Sequence, residues 1–192
     1  MSGYIYCYLG KDATPDLAVF ERVFRSIGLH LTQPGTLHVY ALSPSGEQYV
    51  TTREEVVLRL AEKRDVNLQW WFGALDDVYC GFHTDTLNEQ WRVTFRFHAI
   101  AADKVEATAR QVLVYFKENC AQGDTVALVV DRHGSLAHVD WDSVVVGKAT
   151  LREIPDVLIL PRSVPSSHLD AQRTDFPECP DRVVFSPMIH HS

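Results

Sequence analysis

Residues 67–85, NLQWWFGALDDVYCGFHTD, hold two adjacent tryptophans, two adjacent aspartates and no lysine or arginine. Read as a β-hairpin, the stretch sends Leu68, Trp70 and Phe72 to one face together with Val78, Cys80 and Phe82. Neighbours on a strand face opposite ways, so Trp71 leaves the face that Trp70 joins. A loop over residues 73–77 pairs Trp71 with Tyr79 on that second face. What the second face is for therefore decides both the layering of the fold and the reading of the function.

The neighbouring segments enlarge the same pattern. QWRVTFRFHA (90–99) alternates Trp91, Val93, Phe95 and Phe97 with Arg92, Thr94, Arg96 and His98. A register that sets Phe82 opposite Trp91 places Thr94 beside Tyr79, Arg92 beside Gly81 and Arg96 opposite Asp77. YIYCYLG (4–10) alternates Ile5, Cys7 and Leu9 with Tyr4, Tyr6 and Tyr8. The second face thus collects Trp71, Tyr79, His83, Arg92, Arg96 and His98, and the three tyrosines if the first strand joins the sheet.

Helical periodicity appears between these strands. ATPDLAVFERVFRSIG (13–28) carries an apolar stripe of Leu17, Phe20, Val23, Phe24 and Ile27, with Thr14 as expected cap, Pro15 at the first position and Gly28 as terminator. TREEVVLRLAEKR (52–64) opens with the capping-box pair Thr52 and Glu55. Asp103 is the expected cap of a third helix, which carries Val105, Ala109, Val112, Leu113 and Phe116 and ends near Gly123. TLHVYALS (36–43) and EQYVT (47–51) flank PSG as a hairpin.

TVALVVDRHGSLAHVDWDSVVV (125–146) reads as a further hairpin turning at residues 132–135. Its second arm would align His138, Asp140 and Asp142 on one face, a set acceptable to a divalent metal or to acid–base work. A solvated strand face produces the same pattern. Six of the nine prolines lie beyond Lys148, where only DVLIL (156–160) looks strand-like. Val183, Val184, Phe185, Met188 and Ile189 are too apolar for a solvated tail, so residues 149–192 read as an extended Pro-rich arm packed on a domain of residues 1–148. The fold class expected is α+β: a mostly antiparallel sheet with about three helices packed on one face.

Bulk properties narrow the partners. With 192 residues, 46% hydrophobic and 22% charged, the chain is long enough for a core without metal or disulfide support. A net charge of −7 speaks against a nucleic-acid partner, which a basic face usually serves. Cys7, Cys80, Cys120 and Cys179 form no CxxC pair, which suits a reduced, cytoplasmic setting. The first residues carry no secretory pattern, and no window suits a membrane span. No nucleophile elbow, P-loop, dinucleotide fingerprint or HExxH occurs, so neither catalysis nor a cofactor is expected.

From Asp65 to Gln90 there are five acids and no lysine or arginine. Asp76 and Asp77 sit at the hairpin tip beside Trp71 and Tyr79, a pattern that suits either a tight turn or attraction to a basic protein surface. The capped helix leading into VNLQWWFGALDDVYCGF, in a small acidic α+β chain, resembles bacterial immunity proteins of polymorphic and contact-dependent toxin systems over residues 50–100. The resemblance implies an inhibitor that binds a cognate toxin and blocks its active site or substrate entry, monomeric or weakly dimeric alone. The partner-binding residues expected on this reading are Trp71, Asp76, Asp77 and Tyr79, with His83 and Asp85 outside them. Two alternatives remain: a small metal-dependent or small-molecule enzyme using His138, Asp140 and Asp142, and a structural subunit assembling through its aromatic face.

Overall fold

The computed structural model describes residues 2–85, 89–165, 169 and 171–187. In chain order the elements are β1 (Ser2–Leu9), α1 (Leu17–Arg25), β2 (Val39–Leu42), β3 (Gln48–Thr51), α2 (Arg53–Ala61), β4 (Val66–Trp71), β5 (Asp77–Thr84), β6 (Trp91–His98), α3 (Ala102–Cys120), β7 (Thr125–Asp131), α4 (Trp141–Val145), β8 (Val157–Pro161), β9 (Ala171–Asp175) and β10 (Arg182–Pro187). The ten strands form one antiparallel sheet in the order β3-β2-β4-β5-β6-β1-β7-β8-β10-β9. The class is α+β, with four helices rather than about three.

The period-two pattern in the strands sorts side chains onto two faces. On the first, Ile5, Cys7, Leu68, Trp70, Cys80, Phe82, Val93 and Phe95 join Leu17, Phe20 and Phe24 of α1, Val56 and Leu60 of α2, and Val112 and Phe116 of α3 in one buried cluster. Phe24 stands edge-on to both Trp70 and Phe95, at ring-centre distances of 5.6 and 5.1 Å. Such aromatic contacts add about 0.5–1.5 kcal/mol each to the burial itself. A second cluster lies on the opposite face, where Tyr8, Ala127, Val129, Leu158, Leu160, Val183 and Phe185 meet Trp141, Val144 and Val145 of α4.

Several local expectations are met and others move. Thr52 caps α2 by accepting from the Glu55 amide at 3.1 Å, while the Glu55 carboxylate turns to Thr51 and Arg59 instead of closing the box. Gly28 holds φ of 75° just after α1. The cap of α1 is Asp16, not Thr14: its carboxylate accepts from the Ala18 amide at 2.9 Å, and the helix starts two residues later than Pro15 would allow. Ala101, not Asp103, occupies the cap position of α3, and Asp103 lies in the first turn.

Both expected registers slip by two residues. The loop of the 67–85 hairpin is residues 72–76, closed by the Phe72 amide donating to the Asp76 carbonyl, so Trp71 faces Asp77 and Gln69 faces Tyr79. On the other side of β5, Tyr79 faces Arg96, Gly81 faces Thr94 and His83 faces Arg92. A slip of two leaves every side chain on its expected face. The segment after Lys148 extends the sheet itself. It supplies β8, β9 and β10 beside β7, with Pro161 and Pro187 at strand ends, where a missing amide is tolerated. Met188 and Ile189 lie outside the described residues.

Candidate functional site: a groove on the second sheet face

Residues aligned across the strands show what the second face offers. One row runs Tyr40, Gln69, Tyr79, Arg96, Tyr4 and Asp131; the next runs Asn67, Gly81, Thr94, Tyr6, Val129, Leu158 and Phe185. Along the second row the side chains pass from polar to aliphatic at Tyr6. The aliphatic end is roofed by α4 and forms the second core. The polar end is left open, and a groove of about 500 Å³ lies over it. Its floor is Tyr4, Tyr6, Tyr79, Arg92, Thr94 and Arg96, between a wall at Val139–Trp141 and another at the β2–β3 turn.

The α4 wall is fixed by a charge pair. Arg92 Nη1 lies 2.6 and 2.7 Å from the two carboxylate oxygens of Asp142, and the buried Tyr8 hydroxyl donates to the same carboxylate at 2.7 Å. Burial acts against the Arg92 charge, but the Asp142 carboxylate and the Tyr8 hydroxyl together more than offset it and the guanidinium pKa rises. Burial, reinforced by Asp142, pushes the Tyr8 phenol far above its usual value. The Asp140 carboxylate, next in chain to Trp141, caps α4 by accepting from the Ser143 amide and hydroxyl. These Ser143 contacts hold its pKa below the usual carboxylate value.

The floor is a run of π groups. The Arg96 guanidinium lies 5.9 Å from the Tyr4 ring centre, Tyr4 stacks on Tyr6 at 6.0 Å and 3°, and Tyr6 meets Trp141 at 6.2 Å. Arg96 is exposed, and among the described residues it forms no ion pair. Beneath the floor three buried donors make no hydrogen bond: Arg92 Nε, Thr94 Oγ1 and Trp141 Nε1. Each such group costs about 1–3 kcal/mol when left unmatched.

On the β4 side Tyr79 donates to the Asn67 side-chain oxygen and lies 3.4 Å from His83 Nε2, while His83 Nδ1 lies 3.2 Å from Asp65. Both rings lean over Gly81, where a Cβ would come within 2.3 Å of His83 Nε2 and 3.0 Å of the Tyr79 hydroxyl. Burial pushes the Tyr6 and Tyr79 phenols up to about 12.

The expected site residues divide. Tyr79 and His83 line the groove. Trp71 does lie on the second face, yet it is only 5% exposed. The segment after α1 closes over its edge: His30 and Trp71 exchange backbone hydrogen bonds of 2.9 and 2.7 Å, and Tyr40 packs edge-on at 5.8 Å. Trp71 is therefore packed into the fold and does not stand as an exposed ring on the second face. Asp76 pairs with Lys104 at 2.6 Å, and Asp77 accepts from Gln69 at 2.9 Å. Asp85 is buried at the end of β5.

His138, Asp140 and Asp142 share no strand face, because residues 141–145 are helical. Asp140 is a cap, Asp142 pairs with Arg92, and His138 is exposed in the connecting turn. Among the described residues no cluster of histidine, cysteine or carboxylate groups suits a metal. The residues missing from the expected set are Tyr4, Tyr6, Arg96 and Trp141; the tyrosine alternation in β1 carried the signal for the first two. Also among the described residues, no helix is long and apolar enough to cross a membrane. Comparison with known proteins finds no matching family model, no similar curated protein and no similar solved structure.

Proposed function

We propose that this protein is a binding protein of the immunity type, cytoplasmic and non-enzymatic, which neutralises a cognate bacterial toxin by covering its active site or substrate entry. The observation that carries the reading is the half-roofed second sheet face. α4 and its flanking turn seal one half with aliphatic side chains, and the other half is an open groove of tyrosine, arginine and histidine. Tyrosine and arginine dominate the energetics of protein interfaces, because they bury large amphipathic area and tolerate water before the partner arrives. The core on the first face gives this groove a rigid backing, so little ordering entropy opposes docking.

The test is a calorimetric titration against the toxin domain encoded beside the gene. Wild-type protein is expected to bind, and Tyr4→Ala and Tyr79→Ala each to weaken binding by about 2 kcal/mol or more, as truncated anchors do. Failure to bind any such domain, or binding indifferent to both changes, would remove the reading.

A further inference from the structure

We infer that the groove receives a carboxylate presented by a segment of the partner protein, with Arg96 as the receiving residue; this rests on the binding reading above and specifies its chemistry. Around the groove Asp142 has Arg92 and Tyr8, Asp140 has Ser143, Asp65 has His83 and the Thr84 amide, Asp77 has Gln69, and Asp131 has Ser135 and the Leu136 amide. Arg96 has only the Tyr4 ring, among the described residues.

A guanidinium laid over an aromatic face keeps its in-plane N–H groups free, and that fork matches a carboxylate. An acceptor without charge would leave the Arg96 charge unmatched, whereas a carboxylate matches it. A cationic side chain would meet Arg96 head on. The acidic tip at Asp76 and Asp77 points to a basic partner, but Asp76 is neutralised by Lys104 inside this chain. The groove, where Arg96 is exposed and forms no ion pair among the described residues, is the stronger claim on partner chemistry.

The probes are capped tetraglutamate amide, its tetraglutamine counterpart and inorganic phosphate, each titrated into the full chain. The readout is the nuclear magnetic resonance signal of the Arg96 side chain and of the Tyr4, Tyr6 and Trp141 rings. Tetraglutamate is expected to bind at least about ten-fold more tightly than tetraglutamine, the strength of one charge-assisted pair. Arg96→Gln should abolish that preference, and Arg96→Lys should keep part of it. Because Arg96 forms no structural ion pair, both variants should fold, which circular dichroism checks. Equal binding of the two peptides, no groove perturbation by either, or a preference that survives Arg96→Gln would overturn the inference. Displacement of tetraglutamate by equimolar phosphate would also overturn it, by assigning the groove to a free small anion. The two readings fail separately: loss of the peptide preference with toxin binding intact sinks only the carboxylate, and a chain that prefers tetraglutamate but binds no toxin sinks only the immunity role.

Discussion

Arg92 on β6 and Asp142 on α4, fifty residues apart, meet with one guanidinium nitrogen 2.6 and 2.7 Å from the two carboxylate oxygens. The side chains retain 27% and 18% of their exposure, so the pair is partly desolvated. This contact ties the roof of the second core to the sheet and defines one wall of the groove. Asp142→Asn should lower stability by about 1–3 kcal/mol in urea unfolding, because it leaves a half-buried cation without a counter-charge. The double change Arg92→Met, Asp142→Leu should recover most of that loss. A neutral Asp142→Asn would show the wall is held by Trp141 and Val144 alone.

Two glycines should respond oppositely to alanine. At Gly10 the added carbon would lie 2.2 Å from the Gly123 carbonyl oxygen, which is backbone and has little room to move. A cost of about 1–3 kcal/mol is expected there, in the range of overpacked cores. At Gly81 the obstacles are the tips of His83 and Tyr79, which can swing aside. Gly81→Ala should therefore keep its stability to within about 1 kcal/mol while separating His83 from Tyr79. Chemical denaturation reads the first effect, and the histidine ring resonances read the second.

Trp71→Ala should behave as a core truncation, costing about 3–5 kcal/mol, while Trp71→Phe costs less than half of that. Partner affinity per folded molecule should change little with Trp71→Phe, since the ring is shielded by His30 and Tyr40. A large affinity loss with unchanged stability would restore the tryptophan as a docking anchor.

How far the sequence spoke is visible in this same residue. Alternation placed Trp70 and Trp71 on the correct faces, because face assignment is a local consequence of the pleat. It did not reveal what covers Trp71, since the His30 and Tyr40 contacts come from distant segments. The two-residue slips at Trp71–Asp77 and Tyr79–Arg96 were invisible for a related reason: an even shift preserves the pattern, and only the loop decides. Polar alternation at His138, Asp140 and Asp142 matched a strand, yet Trp141, Val144 and Val145 also carry helical spacing behind an aspartate cap. Tertiary burial of those three against Leu158 and Phe185 decided for the helix. The prolines after Lys148 argued against helix correctly and against strands wrongly, because Pro161 and Pro187 fall at strand ends.

Asp140 separates a cap from a metal ligand by a single substitution. Asp140→Ala should cost about 0.5–2 kcal/mol, whereas Asp140→Ser, which can also cap, should cost much less. Its carboxylate pKa is held down mainly by the Ser143 hydroxyl. The stabilisation is thus present above the ordinary aspartate value and fades as pH falls through the lower folded value. Thermal melts with and without added divalent cation check the contrast. A rise in Tm on adding metal, abolished equally by Ala and Ser, would revive the metal-site alternative.

The groove tyrosines give the last prediction its sign. Burial raises Tyr6 and Tyr79 from the ordinary phenol value of 10.0 to about 12, so the folded chain keeps both protons after the unfolded chain has released them. Where the folded state binds more protons, stability falls as pH rises. Their contribution is therefore intact below pH 10 and shrinks towards about 12. Tyr6→Phe should flatten that alkaline decline and delete one late step from the phenolate absorbance titration. Tyr79→Phe should do the same, at a further cost of about 1 kcal/mol for the hydrogen bond it withdraws from Asn67. A carboxylate docked at Arg96 adds negative charge beside both phenols, so a bound acidic peptide should push their ionisation later still. Earlier ionisation in its presence would contradict the placement of the ligand in the groove.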